Sequence, residues 1–204
     1  MNQTLERMEG EGILETVTHS EWASPIVPVM KEDRKVRICG NYKRTLNKVC
    51  LVDQYPLPRI EDMFASMAGG KRFTKIDLRQ AYLQLTLAQE SRKYTTINTT
   101  RGLYQFKRMP FGVASATAIF QRTIENILRG LPCTVVRVDD ILVTGTDDKD
   151  HLYNVEQVLL RLERAGLKAK KAKCQFFLPE VIYMGYISWM NMDIARILKK
   201  QRRS

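Results

Sequence analysis

The stretch Thr134-Val135-Val136-Arg137-Val138-Asp139-Asp140-Ile141-Leu142-Val143-Thr144 sets two strand-forming runs around a pair of carboxylates. Runs rich in Val, Ile and Thr read as strands, so Asp139-Asp140 falls at a strand–turn–strand tip. The turn is not of the Asn-Gly or Asp-Gly type, so turn chemistry alone does not select it. Two unpaired carboxylates on a half-buried strand raise each other's pKa and are costly to hold together. A divalent cation relieves that cost. Mg²⁺ is hard, prefers carboxylate oxygen, and takes one or two carboxylates plus substrate phosphates. The same doublet recurs at Asp147-Asp148, where Lys149 and Asp150 follow and a loop with a helix cap is the simpler reading. On the residues alone, a solvated polar turn and a metal site both stand for Asp139-Asp140.

Working outward, Arg72 to Asp77 reads as a strand that ends on a third carboxylate. Ser115 to Arg129 reads as a helix with Ile119, Phe120, Thr123, Ile124, Ile127 and Leu128 on one side, closed by Gly130. Asp150 can cap a second helix, His151 to Ala165, with Leu152, Val155, Val158, Leu159 and Leu162 as a core stripe. Pro58 opens a third, with Ile60, Met63, Phe64 and Met67 at helical spacing before Gly69-Gly70. Lys35 to Ile38 and Lys93 to Asn98 read as short strands, and Leu83, Leu85 and Leu87 alternate as another. Glu11 to Pro28 reads as irregular, punctuated by Trp22, Pro25 and Pro28. Strands and helices interleaved around one hairpin indicate an α+β fold. The split βαβ arrangement, with helices on one face of an antiparallel sheet, suits it.

The chain has 204 residues, 44% of them hydrophobic and 27% charged, as in soluble globular proteins. No apolar run approaches the roughly 20 residues of a membrane span, and the polar, acidic first residues are not a signal peptide. Cys39, Cys50, Cys133 and Cys174 are widely spaced and only His19 and His151 accompany them, which argues against structural zinc and for reduced thiols in an intracellular protein. The net charge is +11, and Lys168 to Ser204 carries nine Lys or Arg against Glu180 and Asp193. Such a surplus points to a polyanionic partner, above all nucleic acid, though a solvated basic tail has the same composition.

Several motifs follow one another in a specific order. They are Trp22-Ala23-Ser24-Pro25-Ile26-Val27, Val36-Arg37-Ile38-Cys39-Gly40-Asn41-Tyr42-Lys43 and Tyr55-Pro56-Leu57-Pro58. Next come Phe73-Thr74-Lys75-Ile76-Asp77-Leu78-Arg79-Gln80-Ala81-Tyr82 and Met109-Pro110-Phe111-Gly112. Val138-Asp139-Asp140-Ile141-Leu142-Val143, Lys173-Cys174-Gln175-Phe176 and Tyr183-Met184-Gly185 complete the series. Through these motifs, residues from about 12 to 187 resemble the reverse transcriptase of gypsy-type LTR retrotransposons. The resemblance implies a right-hand polymerase, with fingers at about 11–60 and 88–105 and palm at about 61–87 and 106–187. Residues 1–10 would be an extension and 188–204 a basic tail unlike the family, with the thumb absent.

The resemblance also implies site residues. Asp77, Asp139 and Asp140 match the catalytic carboxylates that hold two Mg²⁺ ions (Mn²⁺ being possible) about 3.5–4 Å apart. Lys173 matches a general acid for the leaving pyrophosphate. Lys35 and Arg37 match residues that grip the triphosphate of a dNTP. Ala81 and Tyr82 lie where the nucleotide sugar sits, with the Tyr82 ring excluding a 2′-hydroxyl. Phe111 and Gly112 match the nucleotide pocket, and Met184 and Gly185 the hairpin that holds the primer end. The implied partners are a primer–template of RNA or DNA and the ribonuclease H and integrase of a Pol polyprotein; no membrane is implied.

Four positions depart from the family pattern: Arg137 replaces a Tyr, Thr117 a Pro, Asn41 an Asp and Tyr186 a His. A cation at Arg137 would repel metal or pair with an aspartate. Without a thumb, phosphate contacts would supply most of the affinity and synthesis would be weak and salt-sensitive. A catalytically dead nucleic-acid-binding remnant of the same fold is the alternative reading.

Overall fold

The computed structural model describes residues 2–30, 36–183 and 186–188, the backbone alone at 182, 183 and 186–188. Lys35, Met184 and Gly185 lie outside the described residues. The chain divides into two compact units, residues 1–55 with 80–120 and residues 56–79 with 121–204. Among the described residues no helix is long and apolar enough to cross a membrane.

The first unit holds α1 (Asn2–Gly10), β1 (Leu14–Val17), β2 (Ser24–Met30), β3 (Val36–Gly40), α2 (Leu46–Val49), α4 (Gln89–Arg92), β5 (Ile97–Thr99) and β6 (Gly102–Phe106). Its sheet runs β1-β6-β5-β2-β3. Leu5 and Met8 of α1 are buried with Leu14, Ile38, Tyr42, Ile97 and Phe106, so the polar N-terminal segment contributes to this core. The expected irregular stretch from Glu11 to Pro28 is in fact two strands. Beyond Pro25, β2 is paired among the described residues by β3 alone, so Pro28 sits where a missing N–H is tolerated. The leucine alternation at 83–87 is not a strand, and Thr86 makes only an isolated bridge with Arg108. Ala81–Gln84 winds as a 3₁₀ turn after Gln80, whose φ is +51°. Only then do Met109 and Leu87 N–H groups reach Leu85 and Lys107 carbonyls, at 2.9 and 3.0 Å. Lys93–Thr95 is likewise a 3₁₀ turn that precedes β5.

The second unit holds α3 (Ile60–Ser66), β4 (Arg72–Asp77), β7 (Thr134–Arg137), β8 (Asp140–Gly145), α6 (Asp148–Arg164), β9 (Gln175–Leu178), β10 (Val181–Tyr183) and β11 (Tyr186–Ser188). Most of α5 (Ala116–Leu128) belongs here too. The main sheet has the order β7-β8-β4-β9 and every pairing is antiparallel. Residues two apart on a strand share a face. One face therefore carries Ile76, Thr74, Ile141 and Val143, and it meets α6, where the Thr74 hydroxyl lies 2.8 Å from His151 Nε2. The other face carries Phe73 and Leu142, packed with Met63 and Met67 of the α3 segment and with Val181. The long helix α6 thus takes one face, and its Arg161 side chain donates to the Ile127 carbonyl of α5 at 3.0 Å. The short α3 covers the end of the other face that is far from the β7–β8 turn.

Two helix readings are corrected. Asp147, not Asp150, caps α6, accepting from the Lys149 and Asp150 N–H groups at 2.9 Å each. Asp150 instead accepts from Thr146 N–H at 2.8 Å, which holds its carboxyl below the usual range. Leu152 and Leu159 are not core: they are 57% and 40% exposed. The buried stripe is His151, Val155, Val158 and Leu162, and each exposed leucine lies one residue, about 100° of helix, off that line.

Candidate active site

Asp77 ends β4 and Asp140 opens β8, directly opposite one another. Arg137, the last residue of β7, is opposite Asp140 on its other side. Directly opposed residues point to the same face, so Arg137, Asp140 and Asp77 form a row across three strands at the turn end of the sheet. One row inward, Val135, Leu142 and Lys75 share that face.

The turn at the end of the ladder is Val138-Asp139, so Asp140 belongs to the strand and Asp139 to the turn. Val138 has φ +55° and Asp139 is not in the left-handed region. That is the pattern of a II′ turn, whose first central position favours Gly. A β-branched residue there carries strain of about 1–3 kcal/mol and persists only where its surroundings hold it. Gln121 of α5 is the holder. It is fully buried. Its Oε1 accepts from Val138 N–H at 2.6 Å and its Nε2 donates to the Val136 carbonyl at 2.8 Å. On the far side, Leu78 N–H donates to the Asp139 carbonyl at 2.9 Å, tying the turn to the chain just past Asp77.

Two ammonium groups hold the carboxylates. Lys75 Nζ lies 3.0 Å from Asp140 Oδ2, with both side chains less than a quarter exposed. Lys173 Nζ lies 3.7 Å from Asp77 Oδ2 and is mostly exposed. The segment carrying Lys173 is laid against β4 by Lys170 N–H donating to the Asp77 carbonyl and Arg79 N–H to that of Lys168, each at 2.8 Å. Burial pushes the Asp140 carboxyl up; the Lys75 ammonium pulls it back, and the charges of Asp139 and Asp77 raise it further. Asp77, Asp139, Asp140 and Lys173, distant in sequence, are therefore neighbours.

Among the described residues no three Asp, Glu, His or Cys side chains already form a metal cage. Mg²⁺ does not require one, since it commonly uses one or two carboxylates and completes its shell with substrate phosphates and water. Asp77 beside Asp140, with the Asp139 charge close enough to perturb Asp140, is a hard-oxygen donor set that fits such an ion. Arg137 does not take Asp140: the cation there is Lys75, and Arg137 Nη1 is buried with no hydrogen-bond partner among the described residues.

The first unit gathers Arg37, Tyr82 and Phe111. The Arg37 guanidinium lies 4.5 Å from the centre of the Phe111 ring. Phe111 and Tyr82 rings are 5.2 Å apart, and Tyr82 meets Phe120 edge-on at 5.5 Å. The Tyr82 hydroxyl is 2.9 Å from that of Thr117. A proline at 117 has no group to make this contact, so the departure from the family pattern supplies an anchor. Ala81 is buried at the start of the 3₁₀ turn. Gly112 has φ +99°, and an added Cβ would stand 2.6 Å from the Gly40 carbonyl oxygen, which only glycine avoids.

Sequence reasoning missed Lys75, Gln121 and the Thr117–Tyr82 contact. The signal for Gln121 was its place three residues before Ile124 and seven before Leu128, a polar group on the apolar stripe.

The chain is similar to known proteins. The family model described as "Reverse transcriptase (RNA-dependent DNA polymerase)" matches residues 29–188. The Pol polyprotein from transposon opus of Drosophila melanogaster is 37% identical over 169 residues, 81% of this chain and 17% of that protein. The Pol polyprotein from transposon gypsy of the same species is 36% identical over 147 residues, 71% of this chain and 14% of that protein. The chain thus spans less than a fifth of these relatives. Among solved structures, the foamy viral protease–reverse transcriptase in complex with double-stranded DNA superposes with TM-score 0.85 and 24% identity, over 98% of this chain and 36% of that one. The same enzyme in complex with an RNA/DNA hybrid gives TM-score 0.83 and 22% identity, over 100% of this chain and 28% of that one. The fold is therefore that of a polymerase fingers and palm, and the chain belongs to the reverse transcriptase (RNA-dependent DNA polymerase) family.

Proposed function

We propose that this chain is the fingers and palm of a retrotransposon reverse transcriptase, which transfers a nucleotide from a dNTP to a primer 3′-hydroxyl on an RNA or DNA template. The observation that carries this reading is the cross-strand pairing of Asp77 with Asp140 beside the Asp139 turn. In this reading the unit of residues 56–79 and 121–204 is the palm core, and the other unit holds the fingers.

Asp77, Asp139 and Asp140 would hold divalent ions. When bound, those ions make the primer hydroxyl a better nucleophile and neutralise charge on the leaving pyrophosphate. The chain's own residues do the rest. Arg37 offers a planar fork of donors to phosphate oxygens while its plane rests on Phe111. Tyr82, fixed by Thr117, presents its ring to the sugar and rejects a 2′-hydroxyl. Lys173, tethered beside Asp77, is placed to give a proton to the pyrophosphate. Lys35 would join Arg37, and Met184-Gly185 would meet the primer end. Primer–template, dNTP and the other enzymes of a Pol polyprotein are the partners of this reading, and its setting is inside the cell.

The test is incorporation of labelled dNTP onto a primed RNA template with Mg²⁺. It is expected for the wild type and lost with EDTA or with Asp139→Asn. Equal incorporation by Asp139→Asn refutes the assignment. One observation favours the dead remnant: Arg137 puts a basic side chain in the carboxylate row, beside the Lys75 ammonium already on Asp140. Under that reading the chain binds primer–template and incorporates nothing, and Arg137→Tyr raises incorporation from nil.

A further inference from the structure

We infer that Lys75 is a built-in counter-ion that stands in for metal on Asp140 and thereby sets how tightly the site binds a divalent cation. The inference rests on the metal reading above and adds a regulator to that site.

Three observations support it. First, Lys75 reaches Asp140 diagonally across the β4–β8 ladder, since its directly opposed partner is Leu142. The side chain extends toward the turn end of the sheet and places Nζ 3.0 Å from Oδ2, on an oxygen that a metal would use. Second, the pair is shielded, at 24% and 21% side-chain exposure, whereas Lys173 by Asp77 is 59% exposed at 3.7 Å. Screening by water weakens an exposed pair most, so Lys75 is the cation that a metal ion must contend with. Third, Asp140 is directly opposite Asp77 on the same face and lies next to Asp139 in the chain, and all three carry like charge. Without metal, some cation must offset their repulsion, and Lys75 is attached to the same strand as Asp77.

The consequence is a linked equilibrium. A metal on Asp140 loosens the Lys75 contact, and the Lys75 contact weakens the metal by the same factor. Ion binding then becomes favourable chiefly when a substrate brings its own phosphates. Such a site stays charge-balanced between turnovers.

The test uses the full chain as wild type, Lys75→Met, Lys75→Arg and Asp140→Asn. Mn²⁺ binding is followed by the paramagnetic resonance signal of free Mn²⁺, and thermal unfolding is recorded in EDTA and in excess Mn²⁺. Lys75→Met is expected to bind Mn²⁺ about tenfold tighter, a coupling of about 1.4 kcal/mol. Its unfolding temperature is expected to fall in EDTA and to recover with Mn²⁺ by more than the wild type gains. Lys75→Arg keeps the charge and stays within about twofold of wild type. In the Asp140→Asn background the Lys75→Met gain disappears. Wild type that binds Mn²⁺ together with Lys75→Met of equal or weaker affinity overturns the counter-ion role and leaves the metal reading standing. Absence of Mn²⁺ binding in both overturns both. If Lys75→Met does not fold, Lys75→Gln carries the same comparison.

Discussion

Gln121 is the residue on which the carboxylate turn depends most. Besides donating to Glu125 Oε1, its side chain satisfies the Val138 N–H and the Val136 carbonyl from a buried position. Gln121→Leu keeps the size and strands both backbone groups, at about 1–3 kcal/mol each way a buried partner is lost. Its denaturation midpoint is expected to drop accordingly, with Gln121→Glu intermediate because one acceptor remains. Thr117 acts on a second residue, Tyr82. Thr117→Val removes the 2.9 Å contact with the Tyr82 hydroxyl. The preference for dNTP over rNTP is expected to fall by about twofold to tenfold, the worth of one hydrogen bond of about 0.5–1.5 kcal/mol. Tyr82→Phe should match it, and the double variant should add nothing more. Residue identity was the most legible layer: the three aspartates, Arg37, Tyr82 and Phe111 stand in ordered motifs. What each residue touches was not legible. Lys75 stood only as a member of the strand Arg72 to Asp77, and only the diagonal across β4 and β8 reveals its partner.

Among the elements, the β7–β8 hairpin and α6 make contrasting predictions. Val138 is held at φ +55°. Replacing it by Gly relieves strain of about 1–3 kcal/mol and costs about 0.5–1 kcal/mol of backbone freedom. Val138→Gly is therefore expected to be neutral or stabilising in urea unfolding. Val143→Gly, in the buried part of β8, is expected to lose several kcal/mol. On α6, His151 is buried against Thr74 and Phe177, and burial pushes its pKa below the usual histidine value. A folded pKa below the unfolded one means that its contribution is complete above about pH 6.5 and is lost as pH falls through the folded value. The unfolding temperature is expected to decline from pH 7 to pH 5, and His151→Gln is expected to flatten that slope. The elements themselves were legible where periodicity is long, as in α5, α6 and β4. The strand β2 was hidden because its prolines resemble loop punctuation, and the α6 cap because Asp147, Asp148 and Asp150 are all acceptable cap residues.

At the scale of the molecule, the α+β reading holds: an antiparallel sheet carries α6 on one face and the α3 segment on the other. Convergence of Asp77 with Asp140 was not readable from spacing. It required the register of β4 on β8, which one residue of slip would have reversed. The two acidic doublets test the whole account, because composition does not distinguish them. Asp139-Asp140 is assigned to chemistry and Asp147-Asp148 to the α6 cap. Metal-dependent dNTP incorporation, measured per folded molecule for Asp140→Asn and Asp147→Ala, separates them. Asp140→Asn should lower the rate more than about a hundredfold, as loss of a metal-holding group implies. Asp147→Ala should cost about 1 kcal/mol of stability and leave the rate unchanged. Incorporation that survives Asp140→Asn at the wild-type rate would contradict the account.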